Sequence, residues 1–202
     1  MAATAEPVIL ASASPARARL LRAAGIVAAV EPSQVDEATI KMRHRAAGDS
    51  ALACAEALAA AKAQAVSARH PDALVIAADQ ILAAGAVWFD KPGDLAAARA
   101  QLCALRGRSH ELATACCAVA GGAVVWRGSS VPRLTMREFS DAFLEDYLAA
   151  EGEAVLGSVG AYRLEGRGVQ LFAAIDGDYF SILGLPLLAL IEFLRRRGVV
   201  AA

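Results

Sequence analysis

The sequence has no run of hydrophobic residues that approaches the length of a membrane span. Hydrophobic residues make up 57% of the chain and many of them are alanine, but no apolar run reaches the ~18 residues that a spanning helix needs. The N-terminal residues include no basic region, and the apolar run at residues 8–11 is too short for a secretory signal. We therefore expect a cytoplasmic protein without a membrane partner.

The chain also has few cysteines and a net charge close to zero. The four cysteines, Cys54, Cys103, Cys116 and Cys117, have no Cys-x-x-Cys spacing and no histidine close by, so we expect buried thiols and not disulfides or metal ligands. The formal net charge of −1 argues against a nucleic-acid partner, because such binding depends on neutralising phosphates. The basic cluster at residues 41–45 is typical of a solvated loop.

The length of 202 residues suits one domain with a substantial core, and no repeat, low-complexity segment or linker divides the chain. We predict a single domain over residues 1–202. Segments typical of helices alternate with segments typical of strands, and residues 112–120 and 123–136 predict an antiparallel ribbon. The residue patterns by themselves therefore predict an α/β fold with an antiparallel ribbon.

Individual elements follow from hydrophobic spacing and from capping residues. Ser50, Asp94 and Ser140 are predicted to cap the N-termini of three helices. Helices are predicted over residues 15–24, 50–69, 94–105, 141–151 and 187–197. Strands are predicted over residues 8–11, 26–31, 73–78 and 169–175, and a hairpin over residues 81–89. Residues 34–48 form a polar stretch rich in charge, to which we assign neither a helix nor a strand.

The first predicted strand and helix are joined by Ser12, Ala13 and Ser14, followed by Pro15. A helix start of this kind directs backbone N–H groups and the positive end of the helix dipole into the turn, which suits a phosphate. Arg17 adds positive charge in the first helical turn. Ser14 before a proline is also an ordinary helix cap that needs no ligand, and both interpretations stay open.

Three further side chains are candidates for chemistry. Asp79 follows the apolar strand at residues 73–78, and ligands of α/β sheets gather at the carboxyl ends of strands, although Asp79 is equally suited to cap a turn. Lys62 is the only cation before the last turn of its helix, a position that also fits solvated surface. Lys91 lies in a turn next to a proline and a helix N-terminus.

Several short motifs together resemble the Maf-like family of nucleoside triphosphate pyrophosphatases over nearly the whole chain. The segment from Ser12 to the leucines at 20–21 resembles the family's Ser-x-Ser-Pro-Arg-Arg-x-x-Leu-Leu signature, and residues 35–37 resemble its Val-Asp-Glu acid pair. The remaining motifs follow in the family's order at residues 62–63, 78–80, 90–92, 160–162 and 184–186.

The resemblance implies a mixed α/β fold like that of inosine triphosphatases, with a long curved sheet between two lobes and a central nucleotide cleft. It implies hydrolysis of a nucleoside triphosphate to the monophosphate and pyrophosphate, with a divalent cation, Mg²⁺ before Mn²⁺, and a homodimer. Attack at the α-phosphorus builds negative charge on phosphoryl oxygens, so such a site needs cations, backbone donors and a metal held by carboxylates.

The resemblance also implies roles for particular residues. Asp79 is expected to be the general base, with Lys62 and Lys91 as further catalytic groups. The residues expected to bind substrate are Ser12, Ser14, Arg17, Gln80 and Glu165. The expected metal ligands are Glu37, Asp36 and Asp79. We expect Arg17, Glu37, Lys62, Asp79 and Lys91 to converge around one hollow of triphosphate size.

Departures from the family pattern bear on substrate and activity. Gln80 and Glu165 stand where the branch that acts on 7-methyl-GTP carries glutamine and glutamate, and a carboxylate at 165 would offset the positive charge of a methylated guanine. A pyrimidine triphosphate, dTTP or UTP, is the alternative substrate. The alternative role of Glu165 is an ion pair with Arg163 or Arg167.

Ala16 stands where the family pattern has an arginine. This departure leaves open the alternative that the protein binds nucleotides and regulates cell division, with weakened catalysis.

Overall fold

The computed structural model describes residues 6–201 of the chain. The strands are β1 Val8–Leu10, β2 Ala29–Val30, β3 Leu74–Ala84, β4 Val87–Phe89, β5 Ser109–Ala120, β6 Ala123–Ser130, β7 Arg133–Met136 and β8 Phe172–Asp176. The α-helices are α1 Pro15–Ala23, α2 Glu37–Ala47, α3 Ala51–Ser67, α4 Leu95–Leu105, α5 Asp141–Glu151, α6 Tyr179–Ile182 and α7 Leu187–Arg196. Short 3₁₀ helices span Gly152–Gly157, Val159–Ala161 and Arg167–Leu171.

All eight strands belong to one mixed sheet. Its main path runs β2-β1-β3-β5-β7-β8, with β4 paired to β3 and β6 paired to β5. Strand β1 is parallel to both β2 and β3, whereas β3–β4, β5–β6, β5–β7 and β7–β8 are antiparallel. The prediction of a mixed α/β fold is confirmed. Among residues 6–201, no helix is both long enough and apolar enough to cross a membrane.

The chain groups into two compact units. The first unit comprises, of the described residues, 6–80, 114–130 and 178–201, and the second comprises residues 81–113 and 131–177. Each unit therefore contains segments that are distant in sequence. The single domain over residues 1–202 stays a prediction.

The core of the first unit forms where β1 and β3 pack against helices α1 and α7. Leu10 and Ile76 are adjacent across the parallel pair and both are fully buried. Leu21 of α1 and Leu190 of α7 join the same apolar cluster. Residues 74–79 of β3 are all buried, as expected for a strand that is covered on both faces.

The predicted helix caps are confirmed by hydrogen bonds. Ser14, Ser50, Asp94 and Ser140 each accept a backbone N–H from the residue three positions later, at the start of α1, α3, α4 and α5. Each of these bonds satisfies an N–H group that has no partner within its helix. The capping interpretation of Ser14 is therefore correct as local structure.

The polar stretch at residues 34–48 contains helix α2, which the sequence analysis did not predict, and the basic residues 41–45 lie on this helix and not in a loop. Asp36 caps its N-terminus through Thr39, and Gly48 ends it in the left-handed conformation. No residue of α2 is buried, so the hydrophobic periodicity that identifies most helices is missing.

Four strand predictions also need correction. Strand β3 continues to Ala84, so Asp79 lies within the strand and not at its end, because residues 82–84 pair with β4 in the predicted hairpin. Only Ala29–Val30 of the predicted strand 26–31 is extended. The segment 123–136 is two strands, β6 and β7, which pair with different parts of β5. The last strand starts at Phe172, after a 3₁₀ helix.

Cys54, Cys116 and Cys117 are buried as expected, but Cys103 is exposed on α4. Burial raises the pKa of Cys54 to about 11 and that of Cys116 to about 12, and it also raises the pKa of Cys117. Thiolates are the reactive form of cysteine. The buried thiols therefore lack both access and ionisation near neutral pH.

We expect one thiol per chain to react with Ellman's reagent in the native protein at pH 8, and four to react in denaturant. The Cys103→Ser variant is the control and should lose the fast native reaction while three thiols react after unfolding. Rapid native labelling of a second thiol would show that one of the buried cysteines is accessible.

Candidate active site

The ammonium group of Lys62 contacts two carboxylates in the first unit. Its Nζ lies 2.5 Å from Oδ1 of Asp79 and 2.7 Å from Oε1 of Glu37. The side chains of Lys62 and Asp79 are 9% and 8% exposed, whereas that of Glu37 is 44% exposed. The group thus consists of a buried ion pair with a second carboxylate at its solvent side.

Three different elements place these charges. Lys62 lies on the buried face of α3, Glu37 is the first residue of α2, and Asp79 lies in β3. Strand β1 accompanies β3 only as far as Ile76, whose carbonyl accepts the Ala11 N–H. The segment after β1 then leaves the sheet, so Asp79 lies just beyond the carboxyl end of β1. Ligands of α/β sheets bind at such strand ends.

The turn at residues 12–14 is closed by its own hydroxyl groups and by Arg17. The Ser14 N–H donates to Ser12 Oγ at 3.2 Å, and Arg17 Nη1 donates to the same oxygen at 3.2 Å. Arg17 Nε donates to the Gly184 carbonyl at 2.7 Å. The guanidinium thus connects the turn after β1 to the segment between α6 and α7.

Gly184 permits this close approach. Its φ is +96°, and a Cβ atom at this position would lie 3.2 Å from Arg17 Nε. Both the left-handed backbone and the contact therefore favour glycine. The family motif at residues 184–186 did not by itself indicate this contact with Arg17.

Arg17 is buried close to the acidic residues. Burial lowers the pKa of its guanidinium from the ordinary value, and the nearby carboxylates of Asp79 and Glu37 act in the opposite direction. Arg19, two residues later, is exposed, as expected from its different position around the helix. Arg17, Glu37, Lys62 and Asp79 are thus brought into one electrostatic cluster of the first unit.

Gln80 is part of an internal hydrogen-bond network. Its Nε2 lies 2.7 Å from Thr114 Oγ1, 2.9 Å from the Ser181 carbonyl and 3.1 Å from the Ile182 carbonyl. Thr114 also donates to the Ser181 carbonyl at 3.0 Å. The amide nitrogen of Gln80 therefore joins β3 to β5 and to helix α6. Sequence reasoning missed Thr114, although a lone hydroxyl within the apolar segment 112–120 was a usable signal.

The predicted metal ligands differ in what they already bind. Both carboxylate oxygens of Asp36 accept bonds from Thr39, its N–H at 3.0 Å and its hydroxyl at 2.7 Å. Glu37 and Asp79 share the Lys62 ammonium. No cluster of three or more acidic, histidine or cysteine ligands occurs among residues 6–201.

The donor chemistry nevertheless fits a magnesium ion. Mg²⁺ favours carboxylate oxygens and commonly takes only one or two from the protein, completing its shell with water and substrate phosphates. Glu37 and Asp79 are such a pair, because one oxygen of each contacts the same Lys62 ammonium group and the two carboxylates therefore lie close together. A complete protein cage is not required for this ion.

Two predicted site residues belong to the second unit. Lys91 is exposed in the connection between β4 and α4, next to buried Pro92. Glu165 Oε1 lies 3.6 Å from Arg163 Nε, and its side chain is 24% exposed. Arg163 also contacts Glu151 Oε2 at 3.2 Å. The alternative expectation of a Glu165–Arg163 pair is thus confirmed, while a contact of Glu165 with substrate stays a prediction.

Comparison with known proteins gives consistent matches over almost the whole chain. A profile of the family described as "Maf-like protein" matches residues 7–197. A Granulibacter bethesdensis protein named nucleoside triphosphate pyrophosphatase is 54% identical, covering 94% of this chain and 96% of the relative. A Rhodospirillum rubrum protein of the same name is 51% identical over 99% of both chains. A Rhizobium johnstonii protein named 7-methyl-GTP pyrophosphatase is 45% identical over 96% of this chain and 97% of its own.

Replacing Lys62 by methionine should destabilise the protein strongly, because the buried Asp79 carboxylate loses its ion-pair partner. Breaking a buried pair costs about 3–5 kcal/mol, and we expect a loss of about 3 kcal/mol in the free energy of unfolding at pH 7.5, measured by urea denaturation. The Lys62→Met/Asp79→Asn double variant is the control and should recover part of that loss. A Lys62→Met variant as stable as wild type would contradict a buried ion pair at this position.

Proposed function

The chain belongs to the Maf-like protein family, and from this premise and the geometry of the charged cluster we propose that it is a nucleoside triphosphate pyrophosphatase. In the proposed reaction, water attacks the α-phosphorus, the bond to the α,β-bridging oxygen breaks, and a nucleoside monophosphate and pyrophosphate leave. The single observation that supports this reaction most directly is the contact of Lys62 with Glu37 and Asp79 beside the buried Arg17.

The charges of the cluster suit phosphoryl chemistry. Negative charge grows on the phosphoryl oxygens and on the pyrophosphate leaving group as the reaction proceeds. Lys62 and Arg17 supply fixed positive charge in a buried setting, where electrostatic interactions are stronger than in water. The N-terminus of α1, at the turn of residues 12–14, adds backbone donors and the positive end of the helix dipole.

Asp79 is the proposed general base. Lys62 donates to Oδ1 and so orients the carboxylate, and Oδ2 takes the proton from the attacking water in this proposal. A positioned carboxylate close to the nucleophile is the requirement for such a step. Since Asp79 is buried in a strand, its position has little freedom to vary.

We further propose that Glu37 and Asp79 hold a divalent cation, Mg²⁺ with Mn²⁺ as the alternative, and that Asp36 orders this acidic pair by capping α2. When bound, the cation supplies Lewis-acid stabilisation of the phosphoryl charge. Lys91 is proposed as a further cation for the triphosphate, and Ser12, Ser14 and Gln80 as groups that shape the substrate site. The roles of Lys91, Ser12, Ser14 and Gln80 rest on the family resemblance, whereas that of Asp36 rests on its cap of α2 and replaces its expected role as a metal ligand.

The proposed substrate class is a non-standard purine triphosphate of the 7-methyl-GTP type, with dTTP or UTP as the alternative. Support comes from Glu165, whose carboxylate would offset the positive charge of a methylated guanine. The named relatives carry both the general and the 7-methyl-GTP title. A homodimer is proposed because the family resemblance implies one, and sedimentation analysis tests it. A cytoplasmic location is proposed because no apolar run of the sequence reaches the length of a membrane span.

The purified protein with Mg²⁺ should release pyrophosphate, and not orthophosphate, from at least one nucleoside triphosphate. Asp79→Asn removes the proposed base, and we expect kcat to fall by about 100-fold or more. The exposed Asp72→Asn is the matched control and should keep wild-type turnover. The assay couples pyrophosphate release to a colour reaction across a panel of natural and methylated nucleotides.

If the wild-type protein hydrolyses none of these nucleotides with either metal, the proposed reaction is wrong. Calorimetric binding of a nucleotide without hydrolysis would instead favour the nucleotide-binding regulator that Ala16 leaves open.

The Glu165→Gln variant tests which nucleobase of the substrate the protein selects. We expect the ratio of kcat/KM for 7-methyl-GTP to kcat/KM for UTP to fall about fivefold or more, because one charge pair of about 1 kcal/mol is lost. Glu153→Gln, at an exposed glutamate of the same unit, is the control. An unchanged ratio would show that the Glu165 carboxylate does not select the base.

A further inference from the structure

Gln101, on helix α4, connects two turns of the second unit. Its Nε2 donates to the Asp90 carbonyl at 2.8 Å. Its Oε1 accepts the N–H of Gly160 at 3.2 Å. One side chain therefore contacts both the turn that precedes Lys91 and the turn of residues 160–162.

The two partners determine the orientation of the Gln101 amide. The Asp90 carbonyl only accepts a hydrogen bond, and the Gly160 N–H only donates one. Rotating the amide by 180° would place donor against donor and acceptor against acceptor. Glutamine satisfies both partners at once, and an apolar side chain would satisfy neither.

The bond to Asp90 restricts the backbone next to Lys91. The Asp90 carbonyl belongs to the peptide unit that leads into Lys91, so Gln101 holds that peptide plane. On the other side, Pro92 is buried and limits Lys91 to extended conformations. The backbone of this exposed lysine is therefore restrained from both sides, while its side chain stays long enough to reach a ligand.

The second anchor of Gln101 is a turn with little freedom to move. Gly160 has φ +77°, and a Cβ there would lie 2.6 Å from Leu82 Cδ1 and 2.7 Å from Tyr162 Cε1. Ala161 also adopts a positive φ, +59°, which a non-glycine residue holds only when its surroundings enforce it. Its carbonyl accepts the Tyr147 hydroxyl at 3.3 Å. Gln101 therefore ties the Lys91 turn to a segment whose conformation is already determined.

We propose that Gln101 is a positioning residue that presents Lys91 to the triphosphate by fixing the preceding peptide plane against the turn of residues 160–162. The proposal rests on the proposed function, since it assigns Lys91 to substrate phosphates. Gln101 itself touches no reacting atom in this scheme. Its contribution passes through the backbone of Lys91.

A double-mutant cycle between Gln101 and Lys91 tests the proposal. Gln101→Met removes both hydrogen bonds at similar side-chain volume, and we expect kcat/KM to fall about tenfold. In a Lys91→Ala background the same change should lower kcat/KM by less than about twofold, because there is no longer an ammonium to position. Gln170→Met, an exposed amide of the same unit, is the matched control and should have no effect in either background.

The Gln101→Glu variant removes only one of the two hydrogen bonds. It also provides a second test if the methionine variant misfolds. It keeps an acceptor for Gly160 but places an oxygen against the Asp90 carbonyl, so it should show the same dependence on Lys91. Circular dichroism and thermal midpoints identify any variant that is unfolded.

Three results would overturn the proposal: a Gln101→Met loss that is equally large in the Lys91→Ala background, no loss in folded Gln101→Met, or wild-type kcat/KM for Lys91→Ala. If the wild-type protein hydrolyses no nucleotide, the proposed function fails separately. Calorimetric binding of a non-hydrolysable nucleoside triphosphate analogue then completes the same cycle with affinities in place of kcat/KM.

Discussion

The contact of the Lys62 ammonium with Asp79 is the interaction on which the candidate site depends. Both side chains are more than nine-tenths buried, and a buried charge without a partner costs several kcal/mol. The register of α3 against β3 must therefore bring these two groups together. Glu37 joins the pair from a more exposed position, so one carboxylate of the cluster lies at its solvent side.

The supporting contacts around this pair come mostly from backbone geometry. Arg17 reaches the Gly184 carbonyl because no side chain occupies that position, and the turn at Ser12 closes on its own hydroxyl. In the second unit, Gln101 holds the peptide before Lys91 in a comparable way. The charged side chain of Arg17 and the backbone next to Lys91 are thus held by hydrogen bonds to neighbouring residues. At Gly184 the lack of a Cβ atom makes room for that bond.

Much of the local structure could be predicted because its causes are local. The caps at Ser14, Ser50, Asp94 and Ser140 depend on bonds three residues apart, and the first part of β3 is an unbroken apolar run. Helix α2 escaped prediction because none of its residues is buried, so hydrophobic spacing carries no signal there. The end of β3 was misplaced at Asp79 because pairing with β4 extends the strand through polar residues.

The sequence by itself determined the class of fold, the family and most of the residues that carry charge in the candidate site, since motif order and capping chemistry are properties of the chain. Only the tertiary structure decided which of those residues meet: Lys62 with Glu37 and Asp79, Arg17 with Ser12 and Gly184, Gln80 with Thr114. These contacts join residues up to 167 positions apart. Their formation depends on sheet pairing and helix packing, which no local pattern of residues encodes.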